Sequence, residues 1–187
     1  HRTHAYGCDS CRKNNPKATV RKACKENSVI PGSFATPEAI AHVMTQKFVM
    51  GSPLYRQEQE WKRQGIELTR QTMSNWMLKS VELYLNPLYG KLHAKLLERD
   101  ILHADETTLQ VLREAERSAT AKSYMWLYRT GSDAEHPIVI YNYQPGRGRE
   151  YPQSFLEGFR GYLQTDGYTV YHEIGSDITD VGCWAHL

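Results

Sequence analysis

Two apolar runs that each close on an aspartate, Ile101-Leu102-His103-Ala104-Asp105 and Gly161-Tyr162-Leu163-Gln164-Thr165-Asp166, constrain the fold of this chain more than any other feature. Short runs of this kind read as β-strands, and an acid that ends such a strand is held at the sheet's rim. Tyr124 to Arg129 and Pro137 to Tyr143 read as two further strands, hairpin-like neighbours of the first. Glu150 to Phe159 reads as a helix, Tyr168 to Ile174 as a short one, and Asp180 to Trp184 as a last strand.

Three antiparallel strands, a helix, then alternating strands and helices are the succession of a ribonuclease-H-like α/β fold with a mixed sheet, expected here over residues 97–187. Residues 31–96 read as a helical region. Thr36 is a natural N-cap ahead of Pro37, and Ile40, Val43, Met44 and Phe48 keep a helical period until Gly51-Ser52-Pro53 stops it. Leu54 to Arg63 makes a second helix and Gln64-Gly65 a turn. Thr69 caps a third, on which Met73, Trp76, Met77, Val81 and Tyr84 form one apolar stripe. The three suggest a helix-turn-helix-like DNA-binding region, with Gln71, Asn75 and Lys79 opposite the stripe offered to DNA. The plainer reading is a helical subdomain whose polar face meets water.

Residues 1–30 hold seven Lys or Arg against two acids, whereas the rest of the chain holds sixteen against nineteen. A basic block suits phosphate contact, and it equally suits a solvated loop. Tyr6-x-Cys8-x-x-Cys11 has the spacing that lets two thiolates reach one tetrahedral Zn2+, so the segment reads as half of a zinc knuckle. His1, His4 and Cys24 are alternative ligands, and two unliganded surface cysteines are the competing reading. Cys183-x-x-His186 also has metal-binding spacing, but Cys183 on an apolar strand is more simply a core residue.

A content of 40% hydrophobic and 24% charged residues is a globular balance. No apolar window is long enough to span a membrane, and the basic N-terminus is followed by no apolar signal core. The chain is therefore expected to be cytoplasmic, with its four cysteines unbridged. It begins at His1 without Met and stops inside an apolar run, and so is expected to be a fragment lacking both ends.

Acids held at strand ends suit divalent-cation chemistry on a phosphodiester, in which two cations clamp the scissile phosphate and carboxylates hold the cations. Asp105 and Asp166 have that setting, although an aspartate after a strand is also a common turn or helix cap. Glu106 is either an auxiliary ligand or, since adjacent strand residues face opposite sides, a side chain pointing away from Asp105. Gln144-Pro145-Gly146-Arg147-Gly148-Arg149-Glu150 is a loop whose two guanidinium groups suit phosphate near a helix start, or a solvated hairpin tip.

His103-Ala104-Asp105-Glu106-Thr107 and Leu163-Gln164-Thr165-Asp166-Gly167-Tyr168 resemble the two aspartate motifs of the insertion sequence 66 family of transposases. The resemblance continues in Gly32-Ser33, Pro53-Leu54-Tyr55-Arg56-Gln57-Glu58, Phe155-Leu156-Glu157-Gly158-Phe159-Arg160-Gly161 and Cys183-Trp184-Ala185-His186. It implies an Asp-Asp-Glu transposase of a bacterial insertion sequence, associated with the nucleoid, with Asp105 and Asp166 as the first two acids on two Mg2+ ions, Mn2+ being an alternative. The third acid is implied well downstream, since Glu173, Asp177 and Asp180 follow Asp166 too closely, so the fragment is expected to bind metal weakly and be inactive alone. The resemblance also implies a second Cys-x-x-Cys upstream that completes a Zn2+ site with Cys8 and Cys11. As partners it implies the element ends and target DNA, a homo-oligomer in the full-length protein, and accessory proteins of the same element. Two rival readings are a non-catalytic DNA-binding remnant of a decayed element and a ribonuclease-H-like nuclease of repair or RNA turnover.

Overall fold

From Pro37 to Leu97 the chain is built of helices and turns, and from Ile101 onward strands dominate, in a computed structural model that describes residues 5–14, 20–22, 28–132 and 134–186. It divides into two units, His1–Tyr84 and Leu85–Leu187, each with its own apolar core.

In the first unit, β1 (Ala5–Tyr6) pairs antiparallel with β2 (Arg21–Lys22), and α1 (Asp9–Asn14) lies between them in sequence. Three longer helices follow: α2 (Pro37–Phe48), α3 (Leu54–Arg63) and α4 (Arg70–Ser80). Thr36 and Thr69 cap α2 and α4, their hydroxyls accepting from the amides of Ala39 and Thr72. The Glu58 carboxylate adds a bond from the Arg70 amide at 2.9 Å, which ties the start of α4 to α3. Val43, Met73, Trp76 and Met77 form the centre of this core with Ile30, Ala35, Ile40 and Leu68. Gln57 is buried there, its Nε2 donating to the carbonyls of Val43 and Ser52, while its Oε1 has no partner among the described residues.

The apolar stripe of α4 ends earlier than its spacing suggests. Ser80 takes the fourth buried position, while Val81 and Tyr84 are exposed. The reason is a π-helical turn over Val81–Leu85, whose wider spacing rotates the following residues off the α-helical face. Tyr84 instead reaches back with its hydroxyl to the Val29 carbonyl at 2.6 Å.

The second unit contains α5 (Asn86–Leu97), β3 (Ile101–Gln110), β4 (Lys122–Thr130), β5 (Val139–Gln144), α6 (Glu150–Phe155), β6 (Gly161–Thr165) and β7 (Ile178–Gly182). The five strands make one mixed sheet in the order β5-β4-β3-β6-β7. The first three pair antiparallel, and β6 and β7 join parallel beyond β3. The mixed α/β expectation is met, with shifts of boundary, among them the last strand, which runs Ile178–Gly182 and not from Asp180 to Trp184. Strand β3 runs on to Gln110, because its antiparallel partner continues beside it as far as Lys122, so Asp105 lies within the strand rather than at its end. Helix α6 stops at Phe155, and only a 3-10 turn, Thr169–Tyr171, forms within the helix expected from Tyr168. Helix α5, read from sequence with the helical region, belongs to this unit, with Leu96 fully buried in its core.

One face of the sheet is covered. Leu102, Ala104, Trp126, Tyr128, Ile140 and Leu163 point to it and pack against Leu96, Phe155, Leu156, Phe159, Tyr171 and Ile174. Tyr128 stacks on Phe155 with ring centroids 3.8 Å apart, and Trp126 meets Tyr171 edge-on. The alternate residues Ile101, Val139, Tyr141, Tyr162 and Val181 stand on the other face and are exposed. The strands alternate as a one-sided sheet requires.

Gly161 makes the step from β3 to β6 possible. It adopts φ +152°, and a Cβ there would lie 2.3 Å from the Asp100 carbonyl oxygen. The close approach lets the Tyr162 amide donate to that same carbonyl at 2.8 Å, which starts the parallel pairing in register. Among the described residues no helix is long and apolar enough to cross a membrane.

Candidate active site

The register between β3 and β6 brings the two aspartates together. His103 pairs with Gln164, so two residues further along the same parallel offset Asp105 stands beside Asp166, on the exposed face. Both line one open depression of about 160 Å³, together with His103, Arg129, Gln164 and Cys183. Each carboxylate is oriented by a neighbouring amide. Asp105 Oδ1 accepts from the Glu106 N–H at 2.8 Å, and Asp166 Oδ1 from the Tyr168 N–H at 2.9 Å. Neither Oδ2 has a protein hydrogen-bond partner among the described residues, and both side chains line the same depression. That suits a Mg2+ site, which takes few protein oxygens and completes its shell from water and phosphate. Among the described residues no group of three or more His, Cys, Asp or Glu is gathered for a metal.

Glu106 lies on the opposite face, with its side chain only 1% exposed. Its Oε1 accepts from Arg147 Nε at 2.7 Å and Nη2 at 2.5 Å, and its Oε2 from the Tyr171 hydroxyl at 2.6 Å. The Arg147 guanidinium lies 3.8 Å over the Tyr168 ring and 5.9 Å from that of Tyr124. Burial opposes the charge on Arg147, yet its bonds to Glu106 outweigh it and raise the pKa. Tyr171 is also pushed up, first by burial and then by its bond to Glu106, so it stays a donor.

The expectation for the Arg147 loop changes accordingly. Arg147 is tied to an internal carboxylate instead of extending freely toward phosphate. Gly148 lies against the Glu150 carboxylate, whose oxygens would sit 2.2–2.3 Å from an added Cβ, so an acid occupies the start of the short helix. Arg149 remains exposed. On α4, Gln71, Asn75 and Lys79 are all exposed; Gln71 donates to Asn75 Oδ1 at 3.0 Å, and Lys79 pairs with Glu82 at 2.7 Å. Pairs of this exposure are worth little and are readily exchanged for another partner.

Cys8 and Cys11 are exposed, and the Cys11 amide donates to Cys8 Sγ at 3.2 Å. A bond from the Cys11 thiol lowers the pKa of Cys8 and raises its own. The alternative ligands His1, His4 and Cys24 lie outside the described residues. Cys183 departs from the expected core position: β7 ends at Gly182, and Cys183 follows it, half-buried, beside the aspartates. Asp177 pairs with Arg160, and Asp180 is bound by Thr165 and faces His172, so neither joins the depression. Arg129 had no place in the sequence-based site. Its signal was positional, since it pairs with His103 across β3 and β4 and so shares the face of Asp105.

Fold and site together define a class: a mixed α/β domain that presents two aspartates side by side from parallel strands on an open sheet face. Residues 32–187 match the family described as Transposase IS66 family, and the chain belongs to that family. It is 34% identical over 181 residues to the uncharacterized protein y4qI of Sinorhizobium fredii, covering 90% of this chain and 33% of the relative. The uncharacterized protein y4jD of the same organism is 32% identical over 170 residues, covering 89% of this chain and 32% of the relative. A third, the uncharacterized protein y4hP, is 30% identical over 166 residues, covering 83% and 29%. The chain thus spans about a third of the length of the curated relatives it matches. No solved structure matches it.

Proposed function

We propose that this chain contributes the first two acids, Asp105 and Asp166, of an Asp-Asp-Glu DNA transposase built on a ribonuclease-H-like core. The observation that carries this reading is their juxtaposition in one open depression, Asp105 within β3 and Asp166 just past the end of the parallel strand β6, in a member of a transposase family. Divalent cations, Mg2+ or Mn2+, would supply the activated oxygen and the charge neutralisation that in-line attack on a phosphodiester requires. Asp105 and Asp166 would hold them through the carboxylate oxygens that no donor among the described residues occupies. Arg129, exposed on the rim of the same depression, is placed to take a non-bridging phosphate oxygen. The third acid belongs to a later helix, and these residues alone bind metal weakly and do not cut.

The remaining assignments follow from the same reading. The α2–α4 unit offers Gln71, Asn75 and Lys79 to the element end as a helix-turn-helix-like module, and Arg149 touches the backbone nearer the acids. Cys8 and Cys11 supply two ligands of a Zn2+ knuckle that helps hold DNA. The active species on DNA is a homo-oligomer pairing both element ends, assisted by accessory proteins of the element, in the bacterial nucleoid.

The test is Asp105→Asn and Asp166→Asn in the full-length protein. Each is expected to abolish transposition and strand cleavage while leaving the circular-dichroism melt in place. Transposition retained by either variant removes that residue from the site.

A further inference from the structure

Asp105 and Asp166 are connected by a closed path of contacts that runs through the sheet and back. The donor that holds Asp105 Oδ1 is the amide of Glu106, whose carboxylate is buried on the covered face. The donor that holds Asp166 Oδ1 is the amide of Tyr168, whose ring lies under the Arg147 guanidinium. Arg147 binds Glu106 by two nitrogens, and Tyr171, one turn beyond Tyr168, donates to the other Glu106 oxygen. The Tyr171 amide also bonds the Tyr168 carbonyl at 3.0 Å, closing that turn on itself. Each aspartate is therefore oriented by a backbone whose side chain is gripped by the same guanidinium.

The geometry points to Arg147 and Glu106 as positioning residues that set the spacing and orientation of the two aspartates from behind the sheet. The inference rests on the assignment of Asp105 and Asp166 as metal-holding acids. It gives Arg147 a role different from contact with DNA. A planar guanidinium is needed because it must stack on Tyr168 and bind Glu106 by two nitrogens in one plane, which an ammonium does not do. The site also explains why a carboxylate is tolerated at 1% exposure: both of its oxygens are satisfied.

Neither Glu106 nor Arg147 lines the depression that holds the aspartates, so on this inference their effect passes through the aspartates. Loss of such an outer partner lowers metal affinity by about 10- to 100-fold. The experiment is Mn2+ titration of the chain followed by electron paramagnetic resonance, with Arg147→Met, Arg147→Lys, Tyr171→Phe and Asp105→Asn, each first shown to be folded by circular dichroism. A role confined to stability would lower the melting temperature and leave the Mn2+ affinity of the folded protein unchanged. The expected result is affinity weakened by roughly tenfold or more in Arg147→Met and Arg147→Lys, and by a smaller factor in Tyr171→Phe. Affinity in folded Arg147→Met equal to that of the parent overturns the inference. If Arg147→Met does not fold, Arg147→Lys and Tyr171→Phe decide on the same criterion.

Parent binding untouched by Asp105→Asn would instead mean that the metal reading had failed. The positioning claim then stands or falls on amide hydrogen exchange in Arg147→Lys. Faster exchange at both Glu106 and Tyr168 supports it, and unchanged exchange at either overturns it.

Discussion

Asp105 and Glu106 are consecutive residues of one strand, and the sheet sends them to opposite environments. Asp105 stands on the open face with one carboxylate oxygen lacking a partner among the described residues, whereas Glu106 is sealed into the covered face with both oxygens bound. The open face carries Asp166, Arg129 and exposed tyrosines; the covered face carries Trp126, Tyr128 and Leu163, none exposed. The difference teaches a division of labour. The carboxylate on the open face keeps an oxygen with no partner among the described residues, while the one on the covered face is dry and fully paired. Strand alternation achieves both within two residues.

The largest effect that sharpens this contrast lies on the covered face. Trp126 is fully buried between Tyr151 and Tyr171, so Trp126→Ala is expected to cost about 3–5 kcal/mol in urea unfolding. A loss under ~1 kcal/mol would mean that this face is not the core. Next comes the hinge between the two aspartate strands. Gly161→Ala forces a Cβ against the Asp100 carbonyl at a φ that L-residues avoid, with an expected cost of about 1–3 kcal/mol. Because the β3–β6 register depends on that contact, the same variant is expected to weaken Mn2+ binding when measured well below its melting temperature. Parent-like affinity there would separate the register from the site.

Much of this arrangement was legible in the residues, and what was not has identifiable causes. The parity of Ile101, His103 and Asp105 against Leu102 and Ala104 announces a half-buried strand, and the same alternation turns Glu106 away from Asp105. The end of β3 was not legible, because the apolar signal stops when the core does, while backbone pairing with β4 continues to Gln110. Arg147 read as a loop cation because its partner lies 41 residues earlier, and no local pattern records that bond. Arg129 was passed over for a similar reason: its place beside the aspartates depends on a cross-strand register with His103. The stripe on α4 failed at Val81, where a π-helical turn breaks the period on which helical faces are counted. Apart from that turn, local periodicity was informative where one element decided the outcome, and silent where two distant segments did.

The smallest expected effect tests the open face itself. Tyr141 is 64% exposed on the edge strand β5, opposite Leu127 and on the same face as Asp105. Removing a ring that already meets water uncovers little apolar surface, so Tyr141→Ser is expected to change stability by no more than about 0.5 kcal/mol. Asp105→Asn should be as mild in urea unfolding, since asparagine keeps the Oδ1 that accepts from the Glu106 amide, and its loss should appear only in Mn2+ affinity and transposition. A cost above ~1.5 kcal/mol for Tyr141→Ser would show that the ring is buried in solution, because only buried aromatic area yields a loss of that size. The face that presents the aspartates would then be covered outside its depression, and access to Asp105 and Asp166 would be confined to that opening.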